Sequence, residues 1–249
     1  MRLAGRRILI TGGGSGIGLA TAERFVAEGA QVAILDRSPQ SLARVKSALP
    51  GVVALACDVS QEADVQQAVP LAAAQLQGLD GVCNVAGIGT RKSFDDTTAE
   101  IMMTDIAVNL MGPFHVSKAA LPFLRAAGGG TIVNVASGLA LRPTEGRTAY
   151  GASKGGLITM TKAMAIDLAK DQIRVNVVCP GLIDTPLVKD ASHGATFTPE
   201  QFEKLMDRRI LRRMGQAEEI AQAILYLTSH ESSFVTATTL AVDGGGSMH

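Results

Sequence analysis

The features that would place a chain in a membrane or on a nucleic acid are missing from this sequence. Its 23 basic side chains are balanced by 23 acidic ones, so there is no broad field to attract nucleic acid or an anionic membrane. No apolar run reaches the roughly 18 residues that a membrane span needs. The run after the first arginines, Ile8 to Ile10, is too short for a signal peptide. We expect a cytoplasmic protein that binds neither nucleic acid nor a membrane.

Cysteine and histidine are scarce, which limits the available chemistry. Cys57, Cys83 and Cys179 have no CxxC spacing and lie in apolar contexts, so we interpret them as reduced, mostly buried thiols. The four histidines have no metal-ligand spacing. The sequence therefore predicts no metal site.

The chain also lacks an internal repeat and any linker rich in proline, glycine or serine, so we expect residues 1–249 to form one domain. Short apolar runs alternate with segments that begin with helix-start signals, such as Ser38-Pro39. Most runs lack polar alternation, as expected for strands covered on both faces. The pattern predicts an α/β fold with a doubly wound, Rossmann-type, mainly parallel sheet and helices on both faces. The seven predicted strands are Ile8 to Ile10, Gln31 to Leu35, Val52 to Ala56, Leu79 to Val85, Thr131 to Val135, Ile173 to Val178 and Thr239 to Val242.

One polar insertion interrupts this alternation. Asp184 to Pro199 contains Thr-Pro and Ser-His-Gly turn formers, and we expect it to be irregular. Because it lies between a predicted strand and a predicted helix, we interpret residues 184–215 as the region of a substrate lid.

A glycine-rich turn follows the first predicted strand. Gly12, Gly16 and Gly18 form the pattern G-x-x-x-G-x-G, with Ser15 and Ile17 on either side of Gly16. Glycines at a helix amino terminus let a pyrophosphate approach the backbone amides. The spacing is not G-x-G-x-x-G, and the absence of a following Lys-Ser/Thr argues against a nucleoside triphosphatase loop. The turn favours dinucleotide binding, and an ordinary glycine-rich turn is the alternative.

An acidic residue ends the second predicted strand. Asp36 can accept hydrogen bonds from the adenosine ribose hydroxyls and would repel a 2′-phosphate, which favours NAD over NADP. Arg37, the next residue, could instead receive that phosphate, and a helix-capping role for the acid is a further alternative.

A tyrosine and a lysine stand four residues apart. On a helix, Tyr150 and Lys154 would share one face, and the lysine cation would lower the tyrosine pKa from its usual value of about 10. This spacing is typical of a general acid/base pair, although by itself it also occurs as an exposed helix pair.

With these residues in order, the chain resembles the short-chain dehydrogenase/reductase superfamily, in its compact single-domain type, over essentially its whole length. Thr11 to Gly18 matches the family's TGxxxGxG turn, and Asp58-Val59 matches its adenine-contacting pair. Asn84 to Gly87 resembles the NNAG segment, with Val85 in place of the second asparagine. The family's catalytic tetrad and its nicotinamide segment are matched by Asn109, Ser137, Tyr150 and Lys154 and by Pro180-Gly181 with Thr185.

The resemblance implies a role for each tetrad residue. Tyr150 would exchange a proton with the reacting oxygen, and Ser137 would hydrogen-bond that oxygen. Lys154 would hold the nicotinamide ribose and depress the tyrosine pKa, while Asn109 would help to hold a relay water. A structural role is the alternative for both asparagines and is the favoured one for Asn84. The predicted cofactor-binding set is Gly12, Ser15, Gly16, Ile17, Gly18, Asp36, Arg37, Asp58, Val59, Asn84, Ala86, Gly87, Tyr150, Lys154, Pro180, Gly181, Ile183 and Thr185.

The leading functional hypothesis is an NAD-dependent oxidoreductase that interconverts a small secondary alcohol and a ketone. An NADPH-dependent 3-oxoacyl thioester (acyl-carrier-protein) reductase is the alternative within catalysis. A non-catalytic dinucleotide-binding redox sensor is the alternative of another class, and the intact tetrad disfavours it. Residues 138–147 should border the substrate pocket, where Arg142 and Arg147 either bind an acidic group or are solvated loop charges.

Two consecutive glycines suggest assembly. Gly155 and Gly156 inside a predicted helix cost about 1 kcal/mol each relative to alanine, and close packing against another helix would offset that cost. Small and apolar residues are frequent from Met111 to Leu124, and the strand near Leu240 is apolar. We expect a homo-oligomer, and the family resemblance implies a homotetramer.

Overall fold

The structure is a computed structural model and describes residues 1–191 and 198–248. Seven strands form one sheet in the order β3-β2-β1-β4-β5-β6-β7, and every neighbouring pair is parallel. The predicted Rossmann-type sheet is confirmed, and its strand order reverses between β1 and β4, where such folds bind ligands. The strands are β1 (Arg7–Thr11), β2 (Gln31–Asp36), β3 (Val53–Ala56), β4 (Gly81–Asn84), β5 (Gly130–Val135), β6 (Ile173–Pro180) and β7 (Thr239–Val242).

Nine α-helices connect these strands within the described residues. The second shows how the sequence starts them: the Ser38 hydroxyl accepts the backbone N–H of Ser41 (3.2 Å), and Pro39 occupies the first turn, where its missing N–H costs nothing. The helices are α1 (Gly16–Ala27), α2 (Pro39–Ala48), α3 (Glu62–Leu76), α4 (Ala99–Ile106), α5 (Gly112–Ala126), α6 (Thr148–Leu168), α7 (Pro186–Ala191), α8 (Pro199–Met206) and α9 (Ala217–Thr228).

The helices cover both faces of the sheet, as the sequence predicts. Alternate strand residues point to opposite faces, so Leu9 and Val82 pack with α3, α5 and α6, whereas Ile8 and Ile10 pack with α1, α2 and α9. Because both faces are buried, most strand residues are apolar, and Thr131, Asn134 and Asn176 are buried polar exceptions within β5 and β6.

The polar insertion after β6 is more regular than expected. Asp184 to Pro199 is predicted to be irregular, but Pro186–Ala191 is helical. Pro186 stands at the helix start, where proline is tolerated. Residues 192–197, including His193 of the predicted lid, lie outside the described residues. Lid movement of residues 184–215 stays a prediction.

The thiols are buried, as the sequence predicts. Cys57, Cys83 and Cys179 are all free and buried, and burial raises their pKa values to about 12, 12 and 11. A thiol with so high a pKa is not a nucleophile near neutral pH. The described helices include none long and apolar enough to cross a membrane.

Candidate active site

The glycine turn between β1 and α1 allows close backbone approach. Gly12 has φ +66°, and a Cβ on it would lie 2.7 Å from the Cα of Ala86 on the neighbouring strand end. A Cβ on Gly18 would lie 2.1 Å from the Gly12 carbonyl oxygen. Only glycine fits these two positions. The turn therefore holds the amino terminus of α1 next to the end of β4.

A cavity of about 450 Å³ lies over this turn, at the carboxyl ends of the strands. A helix amino terminus without side-chain caps, such as that of α1 after Ser15, suits a pyrophosphate. The cavity is lined by every residue of the predicted cofactor-binding set except Asn84, that is by Gly12, Ser15, Gly16, Ile17, Gly18, Asp36, Arg37, Asp58, Val59, Ala86, Gly87, Tyr150, Lys154, Pro180, Gly181, Ile183 and Thr185.

Asn84 lies beneath this cavity. Its Nδ2 donates to the Ser117 hydroxyl (3.0 Å) and to Asn134 Oδ1 (2.8 Å), and its side chain is buried. The hydroxyl of Thr11 connects the same strand ends by accepting the backbone N–H groups of Val85 and Ala86, both at 3.1 Å. These contacts fix the spacing of β1, β4 and β5 below the cavity, which is the structural role favoured for Asn84.

Asp36 is fixed at the end of β2. Its two carboxylate oxygens accept the backbone N–H groups of Gly14 and Ser38, each at 2.9 Å. The side chain is partly exposed and lines the cavity, while Arg37 beside it is exposed. Since a carboxylate has about four acceptor sites, Asp36 keeps capacity for hydroxyl donors.

Three of the four predicted catalytic residues meet at one wall of the cavity. Ser137 follows β5, and Tyr150 and Lys154 stand one turn apart on α6. The Ser137 hydroxyl accepts the N–H of Leu139 (3.1 Å), which leaves its own proton for donation. Lys154 Nζ donates to the Val135 carbonyl oxygen (2.9 Å) and is almost fully buried.

Asn109 lies behind this wall in a π-helical turn, Ala107–Met111, between α4 and α5. Its Oδ1 accepts the N–H of Ile88 (2.9 Å), and its Nδ2 donates to the Ile88 carbonyl and to the Ser153 hydroxyl, both at 3.1 Å. A Cβ on Gly87 would lie 3.0 Å from Asn109 Oδ1 and 3.2 Å from Lys154 Nζ. Asn109 and Lys154 therefore both lie close to Gly87, but Asn109 does not line the cavity.

The electrostatics of Tyr150 differ from the sequence prediction. Burial raises the tyrosine pKa, and this effect exceeds the lowering by the Ser137 hydroxyl and the Arg147 guanidinium. The Lys154 ammonium is directed to the Val135 carbonyl, and a lowering of the tyrosine pKa by this lysine stays a prediction. Burial also lowers the pKa of Lys154, to about 8, so the lysine is mostly cationic at neutral pH.

Two charged residues beside the tetrad extend the predicted site. The Cζ of Arg147 lies 5.9 Å from the centre of the Tyr150 ring, and its Nη1 donates to the Thr90 carbonyl (3.1 Å). Asp105 is fully buried, accepts the Thr90 hydroxyl at 2.6 Å, and has a pKa that burial raises. Its position four residues before Asn109, on the same helix face, is the sequence signal that could have identified it.

A second cavity of about 470 Å³ adjoins the first. Ser137, Tyr150, Pro180 and Gly181 line both. Its other walls come from residues 138–147, from α7 and α8, and from the carboxyl-terminal segment after β7. No group of three or more His, Cys, Asp or Glu side chains suited to a metal ion occurs in the described part of the chain.

Comparison with known proteins agrees with this geometry. Residues 12–247 match the family model described as "Enoyl-(Acyl carrier protein) reductase". The chain is 38% identical to 2-(S)-hydroxypropyl-CoM dehydrogenase 3 of Xanthobacter autotrophicus, over 98% of this chain and 97% of that protein. It is equally identical to 3-oxoacyl-[acyl-carrier-protein] reductase of Thermotoga maritima, over 98% of this chain and 99% of that protein.

A solved structure extends the likeness to three dimensions. The crystal structure of levodione reductase superposes with a TM-score of 0.92 at 33% sequence identity and covers 99% of both chains. Levodione reductase of Leifsonia aquatica is 35% identical over 99% of this chain and 96% of that protein. The chain therefore belongs to the short-chain dehydrogenase/reductase superfamily, whose members are oxidoreductases that use a nicotinamide dinucleotide.

Proposed function

We propose that this protein is an NAD-dependent oxidoreductase that interconverts a secondary alcohol and a ketone. The observation that carries the proposal is the position of Ser137 and Tyr150, which line both the cavity over the glycine turn and the adjoining cavity. A nicotinamide bound in the first cavity and a carbonyl bound in the second would meet at these two side chains.

The side chains support a defined proton path. In ketone reduction the Tyr150 phenol gives its proton to the carbonyl oxygen, while Ser137 donates a hydrogen bond to that oxygen. In alcohol oxidation Tyr150 takes the hydroxyl proton. When bound, the cofactor supplies or accepts the hydride, so the protein mainly positions and polarises. Asn109 supports this site through the backbone at Ile88.

The cavity fits the proposed cofactor. Neither Gly12 nor Gly18 has room for a Cβ, so the turn stays tight and its backbone amides can approach the pyrophosphate. Asp36, fixed by two backbone N–H groups, is suited to ribose hydroxyls and opposes a 2′-phosphate. Lys154 lines the same cavity and would hold the nicotinamide ribose.

One observation favours a second candidate, an NADPH-dependent 3-oxoacyl thioester reductase. Arg37 lines the cofactor cavity, is exposed and could pair with a 2′-phosphate. One relative at 38% identity is named as a 3-oxoacyl-[acyl-carrier-protein] reductase. We favour NAD because the Asp36 carboxylate is held in place, whereas the arginine side chain has no fixed partner among the described residues.

The test is a panel of polyols, hydroxy acids, cyclic diols and 3-hydroxyacyl thioesters with NAD, and the matching ketones with NADH and NADPH. Absorbance at the nicotinamide band follows each reaction. Turnover of an alcohol with NAD supports the proposal, whereas turnover confined to a 3-oxoacyl thioester with NADPH favours the second candidate. Cofactor binding without turnover of any member would favour the redox-sensor alternative.

We also propose a homotetramer. Gly155 would carry a Cβ without a neighbour within 4 Å, so α6 leaves room there for another helix. Exposed apolar side chains lie on α4 to α6 and the π-turn, namely Met103, Met111, Phe114 and Ile166. Static light scattering at micromolar concentration tests the proposal, and a monomer would contradict it.

A further inference from the structure

The second cavity has an unusual concentration of positive charge. The whole chain has equal numbers of basic and acidic side chains, yet this cavity is lined by six basic residues and by only two acidic ones, Glu145 and Asp243. The basic residues are Arg91, Arg142, Arg147, Lys204, Arg208 and Arg209.

Several of these guanidinium groups have neutral partners. Arg142 Nη1 donates to the Gly246 carbonyl (3.3 Å), Arg147 Nη1 donates to the Thr90 carbonyl (3.1 Å), and Arg209 donates to the Leu205 carbonyl. Among the side chains that the structure describes, no carboxylate oxygen lies within 4.0 Å of the guanidinium nitrogens of these three arginines. By contrast, Arg212 and Arg213 just outside the cavity both form ion pairs, with Glu203, Asp207 and Glu219.

Three of the arginines converge at one end of the cavity. Gly246 accepts from Arg142, and a Cβ on Gly246 would lie 3.4 Å from Arg209 Cγ. Arg208 adjoins Arg209 and is close enough for their like charges to interact. We call Arg142, Arg208 and Arg209 the arginine cluster.

Desolvation makes this arrangement costly without a counter-ion. Burial lowers the pKa of Arg209, and its Nε is buried without a hydrogen-bond partner. The nearby Asp243 offsets the charge only in part, because it raises the pKa of Arg209 by less than burial lowers it. The Asp243 oxygens accept the backbone N–H groups of Gly245 (2.9 Å) and Ser247 (2.8 Å). The three arginines are half-buried, and charges taken out of water are ordinarily paired, so an anion from outside the chain would complete the cluster.

We propose that the substrate carries an anionic group, a carboxylate, sulfonate or phosphate, which the arginine cluster binds while the reacting carbonyl lies at Ser137 and Tyr150. This proposal rests on the proposed oxidoreductase function, since it names the class of alcohol or ketone that the site takes. The planar guanidinium matches such anions with two parallel hydrogen bonds.

The test compares ketones that differ only in charge. The probes are straight-chain oxo acids from 3-oxobutanoate to 7-oxooctanoate, their methyl esters, and an oxo sulfonate and an oxo phosphate of the preferred length. We expect kcat/KM to be higher for the acid than for its ester by about ten- to a hundredfold, the usual range for one or two charge-assisted hydrogen bonds.

Arg208→Gln is the principal variant, because the Arg208 side chain has no hydrogen bond among the described residues and its loss should not disturb the fold. It should lower kcat/KM for the acid about tenfold and leave the ester unchanged. Arg142→Gln should act in the same way. Arg212→Gln is the matched control, since it removes one positive charge from the same segment outside the cavity, where exposed ion pairs contribute little stability.

Calorimetry separates this proposal from the proposed function. Cofactor-loaded protein is titrated with pentanoate, pentane-1-sulfonate and methyl pentanoate, none of which can react as a ketone. If the anions bind, and if Arg208→Gln weakens this binding but Arg212→Gln does not, the result would support the arginine cluster. The same binding without reduction of any ketone would mean that the proposed function alone fails. Reduction of esters as fast as acids, with no effect of Arg208→Gln, would overturn the anion proposal alone.

The acyl-carrier protein offers another source of negative charge. A 3-oxoacyl thioester on that protein could be preferred to every free oxo acid, and Arg208→Gln and Arg212→Gln could lower kcat/KM for it equally. In that case the basic residues bind the surface of the acyl-carrier protein. That result would also overturn the proposal of a small anionic substrate.

Discussion

Removing the charge of Asp36 should relax the exclusion of NADP. Asp36→Asn keeps an oxygen that can still accept the N–H of Gly14 or Ser38, both of which now donate to the carboxylate at 2.9 Å. Asp36→Ala removes that acceptor as well and leaves the two N–H groups to water. The asparagine variant therefore separates the effect of charge from the effect on the turn.

The expected discrimination against NADP follows from Coulomb's law. Two unit charges about 4 Å apart repel by about 1 kcal/mol in water and about 4 kcal/mol at the effective dielectric of a protein surface. Because Asp36 is partly exposed, the 2′-phosphate should be disfavoured within that range, which corresponds to about five- to a thousandfold in affinity. Asp36→Asn should reduce the discrimination by most of that factor and should weaken NAD binding to a smaller extent.

The measurement is the ratio of kcat/KM with NAD to kcat/KM with NADP, together with both dissociation constants from calorimetry. The double variant Asp36→Asn with Arg37→Gln is the matched control, and it should lose the gained NADP affinity because no cation remains to pair with the phosphate. An unmodified enzyme with equal or higher efficiency on NADP would refute the reasoning. So would a ratio that Asp36→Asn leaves unchanged.

Three further predictions concern the turn and the tetrad. Tyr150→Phe should retain the dissociation constant for the cofactor and lose about a hundred- to ten-thousandfold in kcat, because the ring remains and the transferable proton does not; retention of most activity would exclude the tyrosine as acid/base. The rate of alcohol oxidation should rise with pH and the rate of ketone reduction should fall, with a midpoint set by the Tyr150 pKa, which burial raises. Arg147→Gln should shift the midpoint of both profiles upward. An unshifted midpoint would contradict an effect of the Arg147 charge on the tyrosine. Gly12→Ala should abolish cofactor binding measured by calorimetry, because the added Cβ would lie 2.7 Å from the Ala86 Cα, whereas Gly51→Ala, where a Cβ meets nothing within 4 Å, should leave the affinity unchanged.

The fold was predictable because its signals are local. Strands buried on both faces require continuous apolar runs, and helices between them require start signals, so both can be identified along the chain. The departures are also local in origin: β4 is shorter than predicted because only Gly81 to Asn84 pair with β1 and β5. The helix at Pro186–Ala191 was obscured by turn-forming residues around it.

The cofactor cavity was predictable for a different reason. Parallel strands end at one edge of the sheet, so residues placed just after β1, β2, β4, β5 and β6 are brought together whatever their separation in sequence. Asn84 is the exception because its side chain is directed to Ser117 and Asn134 in the interior, whereas Asp36 and Pro180, which also end strands, line the cavity. The direction of a side chain depends on packing, which spacing alone does not specify.

The charges around Tyr150 could not be predicted in this way. The i, i+4 spacing correctly indicates that Lys154 shares a helix face with the tyrosine, but it cannot indicate which acceptor the ammonium chooses. In the structure that acceptor is the Val135 carbonyl, and the cation that lowers the Tyr150 pKa is Arg147, which is held by the Thr90 carbonyl. Burial is a property of the whole fold, and it raises the Tyr150 pKa by more than Ser137 and Arg147 lower it.

These charges bear on the direction in which the tyrosine works. A phenol whose pKa is raised stays protonated near neutral pH, which is the form needed to protonate a reduced carbonyl oxygen. Alcohol oxidation needs the phenolate, and each cation near Tyr150 makes that form more accessible. Arg147 belongs both to this environment and to the basic wall of the second cavity. An anionic substrate that neutralised Arg147 would remove part of its effect and favour the protonated tyrosine, whereas one held by the more distant arginine cluster would leave the effect intact. Where the anion binds therefore influences the pH at which oxidation becomes efficient.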